Sequence, residues 1–210
     1  MGKATDIPGM FSWSSADVQV DADCDGSGVA TSTITINPGH VKALDNILPS
    51  LWNLTATGGA VTVTADRAAS LVLTARTYSR DSEGGTYGQF IPGVTASDAV
   101  GLHDHRAIEL LQLEDTPQYR TNIGFVEVTG KPVLVEVRAE SPQSKTSAVT
   151  HVQLRANEFI QQRLFPAMGF PNNVYNGRVT IRAVGGEGKV AAYGSVVDNR
   201  TIDPTYVPAQ

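Results

Sequence analysis

The chain has 210 residues, 41% of them hydrophobic and 18% charged, with a formal net charge of −5. That length can bury one large core or two small ones, and the acidic balance argues against nucleic acid as a partner and against a basic membrane-binding patch. No apolar stretch approaches the roughly 18 residues that span a bilayer as a helix, so no membrane span is expected.

Residues 1–14 read as an N-terminal tail. Their sequence, beginning MGKATDIPGMFSW, holds no hydrophobic core of a signal peptide, which leaves either a cytosolic protein or a trimmed mature form. Residues 21–28 (Asp-Ala-Asp-Cys-Asp-Gly-Ser-Gly) are the sharpest chemical motif. Asp21, Asp23 and Asp25 at alternate positions before Gly26 form the first half of a calcium loop, since three carboxylates can converge on a hard cation where glycine permits a sharp turn. Position twelve from Asp21 is Ser32, so the bidentate glutamate of an EF-hand is missing. Asp and Gly also belong in any hairpin tip. Ca²⁺ is therefore the cofactor candidate. Cys24 is the single cysteine, so no intramolecular disulfide can form, and it lies among acids that disfavour a reactive thiolate.

Residues 33–36, 61–64, 133–137, 152–154, 178–182 and 190–197 alternate apolar with polar side chains or run as short β-branched stretches, and read as strands. Gly and Pro turn signals separate them, as at residues 37–39, 58–59, 84–85, 129–132 and 185–188. Helix is scarce. Residues 40–48 and 157–165 carry apolar side chains at helical spacing, and each is expected to make one or two turns, with Pro49 and Pro166 stopping them. Residues 105–114 fit strand or short helix, and strand is preferred because Pro117 follows closely.

Several residue groups invite chemistry. His103 and His105 flank Asp104, and in a strand they would share a face and could hold Zn²⁺ or Cu²⁺. Only His40, His151 and Asp98 could complete such a site, so a polar linker is the plainer reading. No Gly-x-Ser-x-Gly elbow is present, and no nucleophile has a base beside it, so an enzyme is not expected. Among the aromatics, Tyr175 in a Pro-Asn-Asn-Val-Tyr-Asn-Gly run is the best candidate for an exposed binding contact, for instance to polysaccharide. Arg76, Arg80 and Asp81 correspond to Asp198, Asn199 and Arg200, and an Arg near an Asp at a strand end reads as a structural clamp.

The organising feature is an internal repeat. Ile34, Ile36, Val61, Val63 and Val72 match Val152, Leu154, Val179, Ile181 and Val190 at one offset of 118 residues (152 − 34). Thr86-Tyr87 then meets Thr205-Tyr206 after one residue of slippage, and Trp52 meets Phe170, both read as core plugs. The expected fold is all-β: two tandem, related, Ig-like β-sandwich units with short helical crossovers, over residues 15–97 and 98–210. The copies are unequal. Residues 122–128 form a convincing strand, whereas their mates, residues 4–10, contain Pro8 and Gly9 and do not. The first unit is therefore short of a strand. Its open edge is closed by the N-terminus, by the second unit, or by strand addition from another chain.

Four segments carry a family resemblance: residues 74–79 (Thr-Ala-Arg-Thr-Tyr-Ser), 85–92 (Gly-Thr-Tyr-Gly-Gln-Phe-Ile-Pro), 119–125 (Tyr-Arg-Thr-Asn-Ile-Gly-Phe) and 195–206. The chain from about Ala30 onward resembles uncharacterised duplicated β modules found toward the C-terminal ends of large secreted bacterial proteins. The resemblance implies a secreted or cell-surface β module with structural motifs and no known activity. The expected function is a non-catalytic module for adhesion, matrix contact or assembly, stiffened by calcium if the aspartate loop binds it. The alternatives are a filament subunit completed by strand exchange, a polysaccharide-binding appendage and, last, a metal-dependent enzyme using His103 and His105.

Overall fold

The computed structural model describes residues 16–23, 29–54, 59–65, 71–80 and 82–210. The chain divides into two compact units, Met1–Val72 and Leu73–Gln210. The repeat had suggested a boundary at residues 97 and 98. Among the described residues the fold is all-β: antiparallel sheets with two short helices.

The first unit contains β1 (Ala16–Asp23), β2 (Val29–Ile36), α1 (Ile47–Trp52) and β3 (Ala60–Ala65). Its strands form one antiparallel sheet in the order β2-β1-β3. β2 and β3 are rich in Val, Ile, Thr and Ala, and the β-branched members suit a pleated surface.

The second unit begins with a hairpin of β4 (Thr74–Arg80) and β5 (Thr86–Pro92). Next come β6 (Val100–Gly101), β7 (Ile108–Asp115), β8 (Tyr119–Glu127), β9 (Val133–Ser141), β10 (Thr146–Leu154) and β11 (Phe159–Arg163). The chain ends with α2 (Leu164–Ala167), β12 (Val174–Gly186), β13 (Lys189–Asp198) and β14 (Pro204–Val207). One sheet has the order β10-β9-β12-β7. The other has the order β11-β8-β13-β14, with β6 also pairing β13.

These two sheets share one core and make a β-sandwich. Along β9, Val133, Val135, Val137 and Ala139 are fully buried at every second position, as the period of a strand requires. They meet Leu110, Leu113, Ile123, Phe125, Val179, Ile181 and Val190. Phe165 and Phe170 close one end edge to face, with ring centroids 5.4 Å apart. Each such side chain contributes roughly 1.5–3 kcal/mol on burial.

The repeat holds at the level of register for three strands. Val18 of β1 faces Ile34 and Val20 faces Val63; in the second unit Val135 faces Val152 and Val137 faces Ile181. The order β2-β1-β3 thus reappears as β10-β9-β12. The second copy adds β7 on the far side of β12. Among the described residues no strand pairs with the far side of β3.

The helices fall later than the apolar spacing suggested, and the two prolines lie inside them. Pro49 and Pro166 each occupy the third position of a helix, where a backbone N–H has no intrahelical partner and proline costs nothing. Residues 159–163, expected to be helical, instead form β11 against β8. The ambiguous residues from Ile108 onward are a strand, as preferred from the sequence.

Candidate functional site

The buried polar groups of the second unit act as fasteners. Glu127, 2% exposed, sits at the end of β8 where three connections meet. Its carboxylate accepts from the backbone N–H groups of Thr129, Gly130, Lys131, Asn157 and Lys189 and from the Thr129 hydroxyl. Burial works to raise its pKa. The Thr129 side chain and the N–H groups of Asn157, Thr129 and Lys189 outweigh burial and hold it below the usual glutamate value.

At the opposite end of β8, Asp115 is 1% exposed and binds Arg163 through both carboxylate oxygens, at 2.6 and 3.0 Å. It also accepts from the Thr121 N–H. Arg120 donates to Asn199 at 2.7 Å, and Asp198 accepts from the N–H groups of Arg200 and Thr201. The segments around Tyr119 and Asp198, conspicuous in the sequence, thus tie strand ends and loops together. In the same sheet Tyr193 lies over Gly124 and stacks on Tyr206, with centroids 5.5 Å apart. Any side chain at position 124 would collide with the Tyr193 ring.

The histidine pair does not lie on a strand. His103 and His105 fall in the turn between β6 and β7, both exposed, with His105 in the left-handed conformation at φ 51°. Strand alternation therefore does not bring them to one face. Asp104 between them accepts from Lys189 Nζ at 2.9 Å and from the Gly101 N–H at 2.8 Å. The Lys189 hydrogen bond, with that N–H, holds its pKa below the usual aspartate value. No group of three or more His, Cys, Asp or Glu residues is placed to hold a metal among the described residues.

Of the aspartate motif, Asp21 and Asp23 belong to β1, opposite Thr31 and Val29. Asp25, with the remainder of residues 24–28, lies outside the described residues, and so does Asp81. Tyr175 is 49% exposed in β12, next to Asn176 at φ 52°, where pairing with β7 shifts register. Trp52 is half-buried, whereas its repeat mate Phe170 belongs to the core.

An assembly of exposed aromatic and cationic side chains lies on the β4–β5 hairpin. Arg76, Tyr78 and Arg80 alternate along β4 and so share a face. Phe90 stands opposite Arg76, and Gly88 opposite Tyr78. Both guanidinium groups lie over the Tyr78 ring, 5.5 and 5.6 Å from its centroid, and Arg76 also donates to the Thr86 hydroxyl at 3.1 Å. Tyr78 is 40% and Phe90 57% exposed. Gly88 is required here, because a Cβ would run into the backbone of Thr77 and Tyr78. The opposite face of the hairpin turns toward the sandwich, where Ser195 Oγ donates to Gln89 at 3.0 Å. The sequence signal was Arg-x-Tyr-x-Arg at strand period. The strand-end clamp read for Arg76 and Arg80 did not identify this face.

Fold and geometry define an all-β protein with one complete sandwich, a second three-stranded sheet in matching register, and a cationic aromatic hairpin. No helix is long and apolar enough to cross a membrane among the described residues. No family model, curated protein or solved structure matches the chain.

Proposed function

We propose that this protein is a non-catalytic, secreted or cell-surface module of two related Ig-like units that works by contact, in adhesion, matrix contact or assembly. The observation that carries this reading is the far edge of β3. In the second copy the equivalent strand, β12, is covered by β7. β3 has no such neighbour among the described residues, and its sequence, Ala-Val-Thr-Val-Thr-Ala, carries neither charge nor proline. Edges not meant for pairing are ordinarily guarded by lysine, proline or a bulge. A partner strand laid along β3 would satisfy its backbone groups and restore the four-strand order of the second copy.

The test is the solution mass of the chain by light scattering, compared with a Thr62→Lys/Thr64→Lys variant. Both threonines are exposed, so the lysines guard the edge without entering a core. The expected result is association in the parent chain and a monomer of 22.3 kDa in the variant. A parent chain that stays monomeric, and does not bind a peptide with the sequence of β7, overturns assembly at this edge.

A further inference from the structure

We propose that the solvent face of the β4–β5 hairpin, built by Arg76, Tyr78, Arg80 and Phe90, is a binding surface for a carboxylated polysaccharide. The inference deepens the contact reading above by naming a ligand class for the matrix, and it does not depend on the β3 edge.

The repeat gives the first argument. Strand β4 corresponds to β13, and the positions of Arg76, Tyr78 and Arg80 correspond in alternation to the face of β13 that carries Val190 and Ala192 into the core. In the second copy that face is apolar at Val190, Ala192 and Val196 and carries a charge only at the strand end, where Asp198 is the mate of Arg80. In the hairpin it is cationic, aromatic and exposed along all of β4. Two arginines on a core-type face are costly in a buried setting, so the face is suited to water and to a polar ligand.

The chemistry of the four side chains gives the second argument. None of the other β4 or β5 residues on this face is acidic. Each guanidinium offers a planar fork that fits a carboxylate through two hydrogen bonds. Contact with Tyr78 holds both forks splayed beside an exposed ring, so less freedom is lost on binding. The apolar face of a sugar ring covers an exposed aromatic ring such as Phe90, while the guanidinium groups over Tyr78 take its carboxylate. A run of acidic side chains would meet the same guanidinium forks but offers nothing to cover Phe90, and poly-glutamate is the control that separates it. Duplex nucleic acid concentrates about one charge per 1.7 Å, more than the two arginines of this face balance, and poly-uridylate is the control that tests it.

The experiment measures binding of the full chain to polygalacturonate by calorimetry, with dextran, poly-glutamate and poly-uridylate as controls, in the parent chain and in the Thr62→Lys/Thr64→Lys variant. The expected result is binding to polygalacturonate alone, weakened by salt and equal in both proteins. The Arg76→Gln/Arg80→Gln variant should bind about tenfold or more weakly, and so should Phe90→Ala, with unchanged melting temperature because these side chains are exposed. Tyr175→Ala should bind as the parent does. No binding to polygalacturonate, binding unchanged in the arginine variant, or equal binding to poly-glutamate or poly-uridylate overturns the proposal. Because binding is also read on the edge-guarded variant, failure here is distinguishable from failure of the assembly reading.

Discussion

Among the described residues strands β3 and β7 both end their sheets, and they are built in opposite ways. β7 carries Glu109 and Glu114 and departs from regular pairing twice, with Gln112 in the left-handed conformation at φ 59° and Asn176 of β12 at φ 52°. Charge and bulge together make such an edge a poor template for another chain. β3 pairs with β1 in unbroken register and has neither device. Among the described residues the two copies of one sheet thus end differently, with β7 guarded and β3 carrying no further strand.

The largest expected effect tests how far the complete sandwich stands on its own core. Phe125→Ala removes a fully buried ring and should cost about 3–5 kcal/mol in denaturant unfolding. If the two units are energetically separate, a second transition, from the first unit, should keep its midpoint. A smaller effect tests the fastening at Glu127. Glu127→Gln places an amide nitrogen among N–H donors and should cost about 2–3 kcal/mol, the range for hydrogen bonds to a charged group. The sign of its pH dependence follows from a folded pKa below the usual glutamate value. Its contribution is present above the unfolded value and fades as pH falls through the folded one, so the parent chain should lose stability on acidification and the variant should lose less. Urea midpoints from pH 7 to pH 3 measure this. The smallest effect probes the guarded edge itself. Gln112→Gly relieves a left-handed backbone and should stabilise by about 0.5–1 kcal/mol in the same assay. Its solution mass should not change, because the charges of β7 remain.

The candidate surfaces were only partly legible in the sequence. Comparing residues 4–10 with residues 122–128 led to the expectation of a missing strand, and residues 4–10 lie outside the described residues. Among the described residues, what β3 lacks is a counterpart of β7, a pairing that no local pattern reveals. Arg76, Tyr78 and Arg80 lay in plain alternation, yet a strand's period fixes which residues share a face and leaves open whether that face is covered. His-x-His matches a strand template, but His103 and His105 lie in the turn after β6, and His105 adopts a left-handed conformation that alternation cannot signal.

By itself the sequence determined the all-β class, most of the strands, the buried alternation of β9 and the internal repeat. These follow from side-chain period, β-branched composition and Gly and Pro punctuation, all local properties of the chain. The tertiary structure decided which strands became neighbours. It also decided that Pro49 and Pro166 open helices rather than end them. The buried partnership of Asp115 with Arg163 and the gathering of three connections around Glu127 likewise arose only on folding. Each depends on segments far apart in the chain, and the free energy that selects them comes from burying and satisfying groups that meet only when the sheets close.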